Sequence, residues 1–258
     1  MLVDSHCHLN MIDLTPFDGK LEKVLAHAKE NGVGHFLSVA VTLSDHPALV
    51  EITQSYPQVF ISTGLHPNEN PGDPLDVTTL QKNAAHSRVI AIGETGLDYY
   101  RQEGDITWQQ TRFKQHIACA KQFNKPLIIH TRAAKEDTLS IMRSEKAHEI
   151  GGVMHCFTED WDMAQKAMDM NFYISFSGIV TFKNATVLQE VAKKMPLEKM
   201  LIETDCPYLA PVPHRGKSNI PGYVSHVAEF IANLRNEPLS KISKSTTENF
   251  FALFHPPV

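Results

Sequence analysis

The feature that most constrains this chain is a rhythm of short apolar runs separated by segments with helical spacing. Eight runs recur: Leu2-Val3, His35 to Val41, Val59 to Thr63, Val89 to Ile92, Leu127 to Ile129, Gly152-Val153-Met154, Phe172 to Phe176 and Leu201-Ile202. Several are rich in Val, Ile or Phe, which suits strands covered on both faces, as in a parallel sheet. Between them, Leu21, Val24, Leu25 and Ala28 fall on one helical stripe before Asn31-Gly32, a helix stop. Ile106 to Phe123, Ala134 to His148, Asp162 to Met170 and Ala185 to Met195 read the same way. Eight strand and helix units in 258 residues match an α/β (β/α)8 TIM barrel, and the tail from Val224 to Phe254 adds two more helical patterns. No stretch rich in Pro, Gly or Ser divides the chain, and no repeat of fixed period is visible. The expectation is one barrel over residues 1–258. A doubly wound open sheet is the rival architecture.

Composition narrows the partners. With 24 basic and 29 acidic residues the formal net charge is −5, which disfavours a basic sleeve gripping long duplex DNA through counterion release. Local phosphate recognition stays open. Cys7, Cys119, Cys156 and Cys206 form no C-x-x-C pair and read as thiols in a reducing cytosol. The start lacks the basic and apolar regions of a secretory signal, and no apolar stretch approaches the ~20 residues of a membrane helix. The expectation is a cytoplasmic monomer without membrane contact.

The ends of the apolar runs carry the chemistry. Asp4-Ser5-His6-Cys7-His8, Gly64-Leu65-His66-Pro67, Gly93-Glu94-Thr95-Gly96-Leu97-Asp98, His130-Thr131-Arg132, His155-Cys156-Phe157 and Glu203-Thr204-Asp205 each follow a different run. In a barrel these strand ends converge on one face, where active sites are built. His6 and His8, one residue apart on an extended backbone, project to one side and can share an ion. Glu94 can bridge two ions, His130 and His155 offer imidazoles to the second, and Asp205 suits the first ion and its water. Such an oxygen and nitrogen set fits Zn, Mg or Mn. A lone His130 or His155 reads more readily as a hydrogen-bonded core histidine; the joint placement favours the metal. His66 either contacts substrate or caps its strand, and Glu203 reads as a supporting or substrate-facing carboxylate. Cys7, Cys156 and Cys206, each beside a proposed ligand, are expected to face the helix layer as small buried hydrophobes.

These motifs resemble the TatD-type metal-dependent deoxyribonucleases of the amidohydrolase-like barrels. The likeness extends to Ser175-Phe176-Ser177-Gly178, Glu203 to Leu209, Pro211 to Asn219 and Thr247-Glu248-Asn249, so that it runs from residue 3 to about 254. Within the family it is similar to the YcfH-like branch. One departure is Cys206, where Ser is common after the Asp. The resemblance implies a dinuclear centre, with His6, His8, Glu94 and Asp205 around one ion and Glu94, His130 and His155 around the other. It also implies hydrolysis of phosphodiester bonds, with 3′-to-5′ exonuclease action on DNA. Two ions can hold the non-bridging oxygens and activate water, and Asp205 is then the general base beside the bridging Glu94. Arg132, Arg215 and Lys217 can hold a neighbouring phosphate, or be solvated. Tyr99 and Tyr100 can stack on a terminal base, or pack. The implied partner is a DNA end, single-stranded in preference to long duplex. The rival activities are aminoacyl-tRNA deacylation and small-molecule amide or ester hydrolysis, since the same centre can polarise a carbonyl.

Overall fold

The computed structural model describes residues 1–69, 71–100 and 104–257. Eight strands form one parallel sheet in chain order: β1 (Leu2–Cys7), β2 (Val33–Ser38), β3 (Val59–Thr63), β4 (Val89–Asp98), β5 (Leu127–Arg132), β6 (Gly152–Met154), β7 (Phe172–Phe176) and β8 (Met200–Ile202). Each is followed by a helix: α1 (Leu21–Glu30), α2 (His46–Ser55), α3 (Val77–Ala84), α4 (Thr107–Phe123), α5 (Lys135–Ser144), α6 (Trp161–Asp169), α7 (Thr186–Lys194) and α8 (Val224–Arg235). A last helix, α9 (Leu239–Phe254), follows α8. This is the expected (β/α)8 barrel, nearly closed, and the open-sheet alternative is set aside. Among the described residues no helix is long and apolar enough to cross a membrane.

The seam between β1 and β8 is closed largely by polar groups. Ser5 Oγ donates to Ile202 O at 2.9 Å, while Thr204 donates to the Asp4 carboxylate through its backbone N at 2.8 Å and its hydroxyl at 2.6 Å. Just above, Asp205 N donates to His6 O and His8 N donates to Cys206 O, both at 2.9 Å. Burial pushes the Asp4 carboxyl up to about 8, against the opposing pull of its bonds from Thr204 and His6. The two strands that carry His6, His8 and Asp205 are thus fastened at the height where those side chains emerge.

Side chains alternate with a period of two along a strand, so the barrel fills in layers. Val3, Leu37, Phe60, Ile90, Ile128, Val153 and Leu201 pack in one buried cluster with Tyr173, together with Phe250 and Phe254 of α9. Two residues further along six of those strands stand Ser5, Ser62, His130, His155, Ser175 and Glu203. An apolar plug therefore supports a polar layer one step nearer the strand ends.

Several strands depart from the apolar runs, and in β2 and β4 the departure shapes the site. The second run extends to Val41, but β2 ends at Ser38, because the next carbonyls leave the ladder to serve the site. Val39 O accepts from His8 Nδ1 at 2.9 Å, Ala40 O from Glu94 N at 3.2 Å, and Val41 O from His66 N at 2.8 Å. Conversely β4 continues six residues beyond Ile92, through a register shift between Ile92 and Thr95 against β5. Gly96, at φ +136°, is required there: a Cβ on it would stand 2.0 Å from His130 O. The irregularity re-aims the strand and brings Glu94 among the histidines. Helices α2 and α3 are not singled out by the helical spacing; α3, of 8 residues, begins at a cap in which Asp76 accepts from Thr79 N at 3.0 Å.

Candidate metal centre

Glu94, almost fully buried, stands between two groups of side chains. Its Oε2 is 3.4 Å from His6 Nε2. His6 Nε2 is in turn 3.3 Å from His8 Nε2 and 3.5 Å from Asp205 Oδ1, which lies 3.3 Å from His8 Nε2. On the other side, Oε1 is 2.8 Å from His155 Nε2, 3.1 Å from His130 Nδ1 and 3.4 Å from His66 Nε2. The structure thus brings together all six residues expected to ligate metal, and His66 with them.

Hydrogen bonding on the far side of each ring shows which nitrogen is available, because a ligating histidine donates its other N–H to a carbonyl or carboxylate. His8 Nδ1 donates to Val39 O, leaving the Nε2 lone pair directed at His6 and Asp205. His155 Nδ1 faces Glu203 Oε1 at 3.2 Å, and His130 Nε2 faces Asp98 Oδ2 at 3.1 Å. His155 Nε2, despite its short distance to Glu94, makes no hydrogen bond, and neither does the buried His6 Nδ1. His66 differs. Its Nδ1 accepts from Asn68 N at 3.1 Å, which places its proton on Nε2 and leaves no lone pair towards Glu94. His66 is therefore a donor facing the centre rather than a metal ligand.

The unpaired His155 Nε2 is unfavourable in a dry interior. A divalent cation would pair it, and the oxygen and nitrogen donors around Glu94 fit one. Charge is arranged to match. Burial pushes the Glu94 carboxyl up, but the histidines packed around it, His155 foremost, hold it well below the usual range. Asp205 is likewise opposed by burial yet lowered by His8, His6 and His155. Asp98 is held at about 2, where burial is outweighed by its bond to and attraction for His130. His66 is lowered to about 4, chiefly by burial, consistent with a neutral donor.

Two residues support the histidines: Asp98, which the sequence did not assign to that role, and Glu203, read there as a supporting or substrate-facing carboxylate. Asp98 holds His130 and also accepts from Asn68 Nδ2 at 2.8 Å. Glu203, fully buried, accepts from Cys156 N at 2.7 Å as well as from His155. Its signal was only the carboxylate two residues before Asp205. The expectation for the cysteines holds for Cys7 and Cys206, which are fully buried, and fails for Cys156. That residue sits at φ +42° beyond the end of β6, is half-buried, and contacts Ser177 Oγ at 3.1 Å. It has left the strand, so alternation no longer directs it. Burial and the carboxylates of Asp205, Glu203 and Glu94 raise its thiol well above the ordinary range.

The cationic residues lie further out. Arg132 stacks over Tyr100 at 3.9 Å and Arg215 over Phe182 at 4.3 Å, both exposed, and Lys217 is exposed on the loop that also carries Arg215 and Asp205. Among the described residues none of the three forms an ion pair with a carboxylate. Tyr99 packs: its hydroxyl donates to Asp137 Oδ2 at 2.9 Å and accepts from Gln110 Nε2 at 3.0 Å.

Comparison with known proteins agrees with this geometry. A family profile described as "TatD related DNase" matches residues 3–255. An uncharacterized metal-dependent hydrolase YcfH of Escherichia coli (strain K12) is 48% identical over 255 residues, covering 98% of this chain and 96% of that protein. YabD of Bacillus subtilis (strain 168), also described as a metal-dependent hydrolase, is 42% identical over 259 residues, covering 98% and 99%. Among solved structures, YjjV, a TatD homolog from Escherichia coli K12, superposes with a TM-score of 0.90 at 26% identity, covering 99% of this chain and 98% of that one. An organophosphorus hydrolase from Deinococcus radiodurans shares the fold, with a TM-score of 0.67 at 14% identity over 98% and 92%.

Proposed function

The chain belongs to the TatD-related DNase family of metal-dependent hydrolases, and from that premise we propose that it removes nucleotides from the 3′ end of single-stranded DNA at a dinuclear centre. The observation that carries the reading is Glu94, whose two oxygens face two separate groups of donors. His6, His8 and Asp205 would hold one ion with Glu94, and His130 and His155 the other. Bound divalent ions supply Lewis acidity for the phosphoryl oxygens and lower the pKa of a water.

The protein's own groups do the rest. Val39 O fixes His8, Glu203 fixes His155 and Asp98 fixes His130, so the imidazoles keep their geometry without reorganising. Asp205 keeps its carboxylate ionised and partly open to solvent, placed to take the proton of the attacking water. His66 presents an N–H from the rim and can donate to a substrate oxygen. Arg215 and Lys217 hold a phosphate beyond the scissile one, Arg215 by its planar fork.

The test is a direct competition. Metal-reconstituted protein is incubated with single-stranded DNA labelled at its 5′ end, a D-aminoacyl-tRNA and a panel of small amides. A ladder of products shortened from the 3′ end is expected. Turnover of the aminoacyl ester or an amide, with the DNA intact, would overturn the proposal in favour of carbonyl chemistry.

A further inference from the structure

The loop between β8 and α8 is clasped by one buried side chain. Asn219 Nδ2 donates to Thr204 O at 2.9 Å and to Tyr208 O at 2.6 Å, and Asn219 N donates to Pro207 O at 3.0 Å. Tyr208 N donates to Asp205 O at 3.0 Å. The backbone of Tyr208 is therefore held at both its N–H and its carbonyl, one turn from the Asp205 carboxylate. The neighbouring backbone is pressed against Gly178, where a Cβ would stand 2.0 Å from Leu209 O.

The side chain held so firmly is not packed into the core. Tyr208 is 51% exposed, and its ring centroid lies 6.3 Å from that of His8, the planes at 71°. An isolated exposed ring is ordinary; one whose backbone is pinned beside a metal-binding histidine is a fixed surface at the mouth. The other tyrosines near the strand ends are already engaged, Tyr99 through its hydroxyl and Tyr100 by Arg132 on its face. The same loop carries Arg215 and Lys217, so it offers an aromatic face, a carboxylate and two cations in sequence.

We propose that Tyr208 selects an unpaired terminal nucleotide, its ring stacking on the base next to the scissile phosphodiester. The assignment rests on the phosphodiester reading above. Stacking on a side chain needs a base free to leave its neighbours, which a single-stranded end supplies and a blunt duplex end does not. The contribution is to binding and placement of the nucleotide, while proton transfer stays with Asp205.

The test is steady-state kinetics of metal-loaded protein on three substrates: a single strand ending in thymidine, the same strand ending in 5,6-dihydrothymidine, whose saturated base is no longer flat, and a blunt duplex. The parent should prefer the thymidine end and the single strand. Tyr208→Leu, which keeps apolar bulk, should raise KM on the thymidine strand roughly 10-fold, with kcat within a few-fold, and should erase the preference over dihydrothymidine. Tyr208→Phe should behave as the parent. If Tyr208→Leu retains the parental KM and preference while circular dichroism shows it folded, Tyr208 is not the selecting surface, although the exonuclease reading stands. If the parent shortens none of the strands but hydrolyses an aminoacyl ester or amide, the exonuclease reading falls, and this assignment with it.

Discussion

Two layers inside the same barrel differ by a single step of the strand period. The lower one holds Val3, Phe60, Ile128, Val153 and Leu201, an apolar cluster in contact with Phe250 and Phe254. The upper one holds Ser5, Ser62, His130, His155 and Glu203 on the same strands, with buried atoms such as His155 Nε2 and Glu203 Oε2 left without hydrogen bonds. Burying apolar side chains contributes roughly 1.5–3 kcal/mol each, whereas an unpaired buried polar group costs about 1–3 kcal/mol. The lower layer supplies stability and the upper layer spends some of it, holding donors ready for an ion. Mutations should therefore separate cleanly by layer.

The largest effect is expected at Glu94, since its two oxygens serve both groups of donors. Glu94→Ala should reduce hydrolysis to background and loosen bound metal, while thermal unfolding of the metal-free protein shifts little or upward. A stability loss comparable to a core truncation would erase the distinction between layers. The converse variant is Phe60→Ala, one step below the polar Ser62. It should cost about 3–5 kcal/mol in denaturant unfolding, yet the surviving folded protein should retain metal affinity. Next, Asp205→Asn should keep the fold by circular dichroism and lower kcat by ~10²-fold or more, because an amide cannot accept the proton from water. Activity within a few-fold of the parent would make Asp205 a ligand only.

The smallest effect concerns a buried histidine outside both layers. His116 on α4 is satisfied on both nitrogens: Nδ1 donates to Arg112 O at 2.7 Å and Nε2 accepts from Leu65 N at 3.1 Å. Burial lowers its pKa to about 4 from an ordinary 6.5. The folded protein therefore resists protonation while the unfolded chain accepts it, so stability falls as pH drops through 6.5 and levels off below 4. Between pH 7 and pH 5 the loss from this group is about 2 kcal/mol. His116→Gln, which keeps an acceptor for Leu65 N, should flatten that part of the profile in urea unfolding. An unchanged slope would assign the acid sensitivity to other groups.

How much of this could be read from sequence follows the same division. The barrel was legible because eight apolar runs mark the lower layer directly, and the six candidate ligands were legible because metal-capable types stand at the ends of those runs. The supports were harder to see. Val39, Ala40 and Val41 act through backbone carbonyls, a role that any side chain permits and no residue type announces. Asp98 and Glu203 were visible as carboxylates, but their partners His130 and His155 lie 32 and 48 residues away in the chain. Cys156 was misplaced because alternation was applied beyond the end of its strand. Tyr208 looked like any tyrosine until Asn219, 11 residues later, was seen to fasten it.

The central claim is that Glu94 joins two ion sites in one centre, and the most direct measurement is metal content. Metal-free protein should be dialysed against Mn²⁺ or Zn²⁺ and the bound ions counted by mass spectrometry, for the parent and for Glu94→Ala. The account predicts two ions per parent chain and a loss affecting both sites in the variant. One ion per parent chain, or two ions undisturbed by the substitution, would contradict it.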